Sequence, residues 1–108
     1  MKLSFPTTTL ALCALAASSL GHAQTAPAQS LYTRSLAATC ANCHGTDGKA
    51  VQGSSVLSLA GMDKNYLVAQ MKAFKSGERQ ATVMHQISKG YSDAQIDTLA
   101  GYFAAQKK

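Results

Sequence analysis

Three stretches of the chain carry apolar residues at helical spacing, and none alternates cleanly enough to demand a strand. The sharpest is C-terminal. Ile96, Leu99, Ala100 and Phe103 fall at i, i+3, i+4 and i+7, which places them on one face of an α-helix. Ser92 stands ahead of them as an N-cap with Gln95 three residues on, the arrangement of a capping box. A middle helix is predicted from an N-cap at Asp63 to Ser76, with Leu67, Met71 and Phe74 as its stripe and Gly77 as its stop. A first helix is predicted from about Ser30 through Cys43, with Leu31, Leu36 and Cys40 near one face and Tyr32, Ala37 and Ala38 beside it. Residues 45–61 read as loop, punctuated by Gly45, Gly48, Gly53 and Gly61. The segment "RQATVMHQISKGY", residues 79–91, is broken by Gly90 before the last helix begins. The fold class expected from this pattern is all-α, three main helices joined by long loops.

The N-terminus has a different pattern. Met1-Lys2, the apolar run "LALCALAASSL" from Leu10 to Leu20 and the small residues before Gln24 predict a secretory signal peptide, cleaved after Ala23. The run is shorter than the roughly 20 apolar residues a membrane-spanning helix needs, and no basic flank follows it. Lipid attachment at Cys13 is disfavoured by bulky Leu12 before it. The expected organisation is signal peptide 1–23, flexible leader 24–29 ("QTAPAQ") and one small domain, 30–108. Location is thus expected to be periplasmic, with no stable membrane insertion.

Composition then sharpens the need for a bound group. A domain of this size gains only marginal stability from side chains alone, and small exported domains usually add a disulfide, metal or cofactor. There is no Trp, and the three cysteines fall to two once Cys13 is removed. Cys40 and Cys43 lie too close in sequence for a disulfide between them to staple the fold. The formal net charge is +5, with Lys72, Lys75 and Arg79 clustered. No basic run interleaved with aromatics suggests nucleic acid. The charge fits steering toward an acidic partner.

The stretch "CANCH", Cys40 to His44, carries the chemistry. A redox dithiol uses C-x-x-C where a strand enters a helix, and no strand is expected here. A structural zinc takes four ligands; beyond this motif residues 24–108 offer only His85 as a further Cys or His. C-x-x-C-H is also the spacing of c-type haem attachment. Residues three apart on a helical turn share a face, so Cys40 and Cys43 can reach two vinyl groups on one haem edge while His44 projects toward the iron. One haem c, covalent through both cysteines, is the expected cofactor.

With "CANCHG", a loop, a middle helix, a methionine segment and a last helix bearing "LAGYF", the chain resembles a class I cytochrome c over essentially all of residues 24–108. It is more narrowly similar to the monohaem cytochrome subunits of flavocytochrome c sulfide dehydrogenases and to related small periplasmic cytochromes. The resemblance implies an all-α globule in which the first and last helices cross beside the haem. Leu36 and the segment Leu99 to Phe103 would form that crossing, with Ala37 and Gly101 small enough to permit it. It also implies that Met84, in "ATVMHQISKGYSD", is the sixth iron ligand rather than Met62, Met71 or His85. Met71 is then core and His85 a surface residue. Related sequences often carry a proline near position 57, whose carbonyl accepts the proximal histidine N–H; here Leu57 stands there. Arg79 would face a haem propionate. The implied function is a periplasmic electron carrier with no catalytic residues, working by outer-sphere transfer at the edge near Cys40 and Cys43. Lys49, Lys72, Lys75, Arg79 and Lys89 would guide docking. The partners are redox proteins, among them a flavoprotein dehydrogenase subunit. A haem enzyme or gas sensor with a labile sixth ligand is the reading from another class.

Overall fold

The computed structural model describes residues 25–108; the expected signal peptide and Cys13 lie outside the described residues. Five α-helices and two short 3-10 turns make up the regular structure: α1 Thr25–Ala38, α2 Ala41–His44, α3 Lys64–Ser76, α4 Met84–Ile87 and α5 Asp93–Ala104, with 3-10 turns at Thr46–Gly48 and Ser88–Gly90. No strand occurs among the described residues. Leu31–Lys108 form one compact unit. No helix among the described residues is long and apolar enough to cross a membrane.

Local signals set both ends of α3 and the start of α5 where the sequence places them. Asp63 caps α3, its carboxylate accepting from the Tyr66 N–H at 2.8 Å, and Gly77 ends it with φ +84°. The capping box of α5 is complete. The Gln95 N–H donates to Ser92 Oγ, and the Ser92 N–H donates to Gln95 Oε1 at 2.9 Å.

The N-terminal region departs from expectation in two ways. Helix α1 starts at Thr25, within the segment expected as leader, and Pro27 falls in its first turn, where a missing N–H costs no helical bond. At its other end α1 stops at Ala38, and the chain resumes helix only at Ala41. Thr39 explains the break. Its hydroxyl donates to the Leu36 carbonyl at 2.7 Å, and the Thr39 and Cys40 amides turn back three residues to Leu36 and Ala37, which tightens the helix into a 3-10 stop. The expected single helix over 30–43 is therefore two, and Cys40 becomes the N-cap of α2.

The core gathers Ala37, Leu67, Leu99, Ala100 and Phe103, with Leu36 packed against it. The end of α1 thus meets α5 through the residues expected at the helix crossing, with two corrections. Leu31 is 67% exposed, because a step of five residues turns it well away from Leu36. Gly101 is not at a tight approach. A Cβ there would meet only the flexible end of Lys64, 4.0 Å away, and the small buried residue of α5 is Ala100. Helix α3 packs most extensively on α5. Ion pairs join the two, Lys64 to Asp97 at 2.9 Å and Lys75 to Asp93 at 3.0 Å, both open to water, which screens most of their attraction.

Candidate cofactor cleft

Loop and helices leave a cleft of about 380 Å³ beside the core, lined by Cys40, Cys43, His44 and Met84 among others. That size lies within the range of about 300–1,000 Å³ typical of ligand clefts. The short helix α2 delivers the first three of these residues, and its form follows from the Thr39 break. The His44 amide bonds back to Cys40 O at 3.0 Å, and Gly45 closes the turn onto Ala41 O at 2.9 Å. Gly45 sits at φ +80° and ψ 163°, a region reserved essentially for glycine. Neither cysteine is in a disulfide. Burial pushes the Cys40 thiol above its ordinary pKa, with the Thr39 hydroxyl pulling weakly the other way, so this sulfur stays protonated at neutral pH.

His44 is oriented from the long loop. Its Nδ1 lies 2.6 Å from the Leu57 carbonyl oxygen. A carbonyl only accepts, so Nδ1 carries the hydrogen and Nε2 is left with a free lone pair suited to a metal. Leu57 thus fills with its backbone the place where related sequences carry proline; a carbonyl acceptor needs no particular side chain. The sequence indicated that some carbonyl of this loop served but not which one, since that depends on how the loop folds.

Three methionines line the cleft: Met62, Met71 and Met84. Met62 packs against the core cluster, and Met71 shares the α3 stripe with Leu67. Met84 is the first residue of α4 and half-buried. His85 does not line the cleft, and it is not the surface residue expected. It is half-buried, and its Nδ1 is buried without a partner, as is Ser88 Oγ. The cause is the helical register of α4. Met84 and Ile87, three apart, reach the cleft, while His85 and Ser88 are turned from it.

At the rim, Arg79 holds its guanidinium 4.6 Å above the Phe74 ring and donates to Gln70 Oε1. It also lines the cleft, so a cation stacked on an aromatic ring stands at its rim. Of the cations expected to guide docking, Lys72 and Lys75 both pair with Asp93. Their hydrogen bonds, Lys75 first, hold the Asp93 carboxyl below its ordinary pKa. Lys49, Arg79 and Lys89 have no carboxylate partner among the described residues.

The donor set fits a haem c. Two unpaired thiols three residues apart, an imidazole with a free Nε2 and a half-buried thioether converge on one largely apolar cleft.

Comparison with known proteins agrees. The family described as Cytochrome c matches residues 26–107. The chain is 38% identical over 73 residues to the cytochrome subunit of sulfide dehydrogenase of Chlorobaculum tepidum, 68% of this chain and 64% of that one. It is 36% identical over 74 residues to cytochrome c-554(548) of Halomonas halodenitrificans, 64% of this chain and 86% of that one. It is 34% identical over 87 residues to a thiosulfate dehydrogenase electron acceptor of Stutzerimonas stutzeri, 77% of this chain and 40% of that one. The match thus spans less than two thirds of the length of the first and third of these relatives.

Proposed function

The chain belongs to the cytochrome c family, and from that premise we propose that Cys40 and Cys43 are the attachment points of its single covalent haem c and that His44 and Met84 are the axial ligands of the iron. The observation that carries this reading is the 2.6 Å hydrogen bond from His44 Nδ1–H to the Leu57 carbonyl. It fixes the tautomer a metal ligand needs and makes the imidazole more basic.

The haem supplies a one-electron couple. The residues around it determine what that couple is used for. Leu57 holds His44 in one orientation, so the ligand has little to rearrange between oxidation states. The thioether of Met84 favours the reduced state more than a second imidazole would. Core residues such as Leu67, Leu99 and Phe103 keep water out of the cleft. With His44 and Met84 both holding the iron, no coordination site would be left for a substrate, which favours electron carriage over catalysis. Arg79 stands ready to neutralise a propionate.

Residues 1–23 are read as the export signal, and the cytochrome domain begins with α1 rather than at residue 30, which supports a periplasmic location. Its partners are redox proteins met through small, transient interfaces of less than about 1,200 Å², with Lys49, Arg79 and Lys89 available to steer the encounter. Likeness to proteins named as a sulfide dehydrogenase subunit and a thiosulfate dehydrogenase electron acceptor supports a dehydrogenase of inorganic sulfur as electron donor. The 38% identity to the sulfide dehydrogenase subunit favours a second reading, a haem subunit bound to a flavoprotein. Purification from the native host, with identification of what co-purifies, separates carrier from subunit.

Met84→Ala in the purified holoprotein tests the ligation. Its oxidised form is expected to lose the sulfur-to-iron charge-transfer absorption, and its reduced form to bind carbon monoxide that the parent excludes. If the band persists, the ligand is Met71 or Met62.

A further inference from the structure

The carbonyl that orients His44 belongs to a loop with no helix or strand of its own between Gly48 and Lys64, so something else must hold it still. One anchor is Gly48. Its carbonyl accepts from the Leu59 N–H at 2.7 Å, the Ala60 N–H at 3.1 Å and the Ser58 hydroxyl at 2.8 Å. Three donors that immediately follow Leu57 thus converge on one oxygen. Wherever Gly48 goes, the Leu57 carbonyl follows.

Gly48 is in turn set by α5. The Tyr102 hydroxyl donates to Asp47 Oδ1 at 2.5 Å, and Gly48 is packed so closely on Phe103 that a Cβ would lie 2.7 Å from the Phe103 Cδ1. A further strap closes the far end of the loop, where the Gly61 N–H donates to the Phe103 carbonyl at 2.9 Å. Asp47 lies at φ +55°, the left-handed conformation that Asp and Asn tolerate better than other side chains. That strained position has to be held by something, and Tyr102 is the side chain that holds it. The hydrogen bond also raises the Tyr102 pKa above its ordinary value, with burial adding to it, so the phenol keeps its proton across the neutral range.

We infer that Tyr102 is a positioning residue for the axial histidine, acting through Asp47, Gly48 and the Leu57 carbonyl to fix the strength of the His44 Nδ1 hydrogen bond. This rests on His44 being an iron ligand. A tight Nδ1–H···O bond gives the imidazole more anionic character and stabilises the oxidised iron. Slack in the loop weakens that bond and moves the midpoint potential upward. Tyr102→Phe introduces the slack without altering any charge or the apolar ring.

The test uses holoprotein of the parent and of Tyr102→Phe. It reads the His44 Nδ1–H proton signal of the reduced form by NMR, its exchange with solvent, the midpoint potential and the melting temperature. In Tyr102→Phe the proton is expected to exchange about tenfold faster, as the loop opens more often, and the potential to rise. Asp47→Asn keeps the backbone conformation and an acceptor for Tyr102, so its exchange rate is expected to stay near the parent's. If Tyr102→Phe does not yield folded holoprotein, Asp47→Gly removes the same bond while still adopting the positive φ, and it too is expected to speed exchange. A lowered melting temperature with exchange and potential unchanged overturns the inference and leaves Tyr102 a structural residue. A parent protein whose His44 signal shows no haem-induced shift overturns the ligand assignment instead.

Discussion

Gly45 and Leu57 show how little of the site rests on side-chain identity. Gly45 joins the CANCH turn to the loop at φ +80° and ψ 163°, and a Cβ there would lie 1.8 Å from the Lys49 carbonyl oxygen. No rotamer relieves a clash between backbone atoms. Gly45→Ala is expected to cost about 3 kcal/mol or more, read as a lower denaturant midpoint of the holoprotein and reduced haem attachment on expression. The Leu57 contribution is its carbonyl, which explains why a leucine serves where related sequences carry proline. His85 makes the opposite point. Its neighbour Met84 faces the cleft, but His85 has a buried, unpartnered Nδ1, as Ser88 has a buried, unpartnered Oγ. Sequence adjacency said only that the two residues do not face the same way.

At the level of elements, the helix ends were the most legible features. Asp63, Gly77, Ser92 and Gln95 act within three or four residues of themselves, so their roles survive any tertiary context. The Thr39 break was not legible, because the threonine hydroxyl that donates to the Leu36 carbonyl also accepts from the Tyr91 hydroxyl at 2.8 Å, a partner 52 residues away in sequence. The α3–α5 pair carries a pH prediction. Asp93 receives Lys75 and Lys72 and its pKa is lowered, so the unfolded chain binds a proton there more readily than the folded one. The tie is therefore intact above the ordinary carboxylate pKa of about 3.9 and is lost as pH falls through the lower folded value. Melting curves of holoprotein and of Asp93→Asn are expected to differ at pH 6 to 7 and to converge only as the pH falls below the ordinary carboxylate range. The effect is small, because Asp93 is fully exposed.

At the scale of the molecule, the buried apolar set among the described residues is Ala37, Ala60, Leu67, Ile96, Leu99, Ala100 and Phe103. Three of these seven are alanines, which is little to hold a domain of this size together. Other apolar side chains, among them Met71, Val83 and Ile87, line the cleft and become core only against a flat apolar group. A double Cys40→Ser, Cys43→Ser variant is accordingly expected to lose most of its helical circular dichroism and to melt without a cooperative transition, while the haem-bearing parent melts sharply.

The sequence by itself determined the fold class, the cofactor, both thioether positions, the histidine ligand proposed for the iron, the limits of α3 and the start of α5. Each follows from residues close together in the chain: a five-residue motif, a cap, or a stripe within one helix. Only the tertiary structure decided that Leu57 supplies the carbonyl for His44, that His85 turns away from the cleft, that α1 breaks at Thr39, and that Tyr102 grips the loop through Asp47. Those contacts join residues 13 to 55 positions apart or depend on which face of a helix the packed core claims. Spacing along the chain encodes a helix face but not what that face will meet.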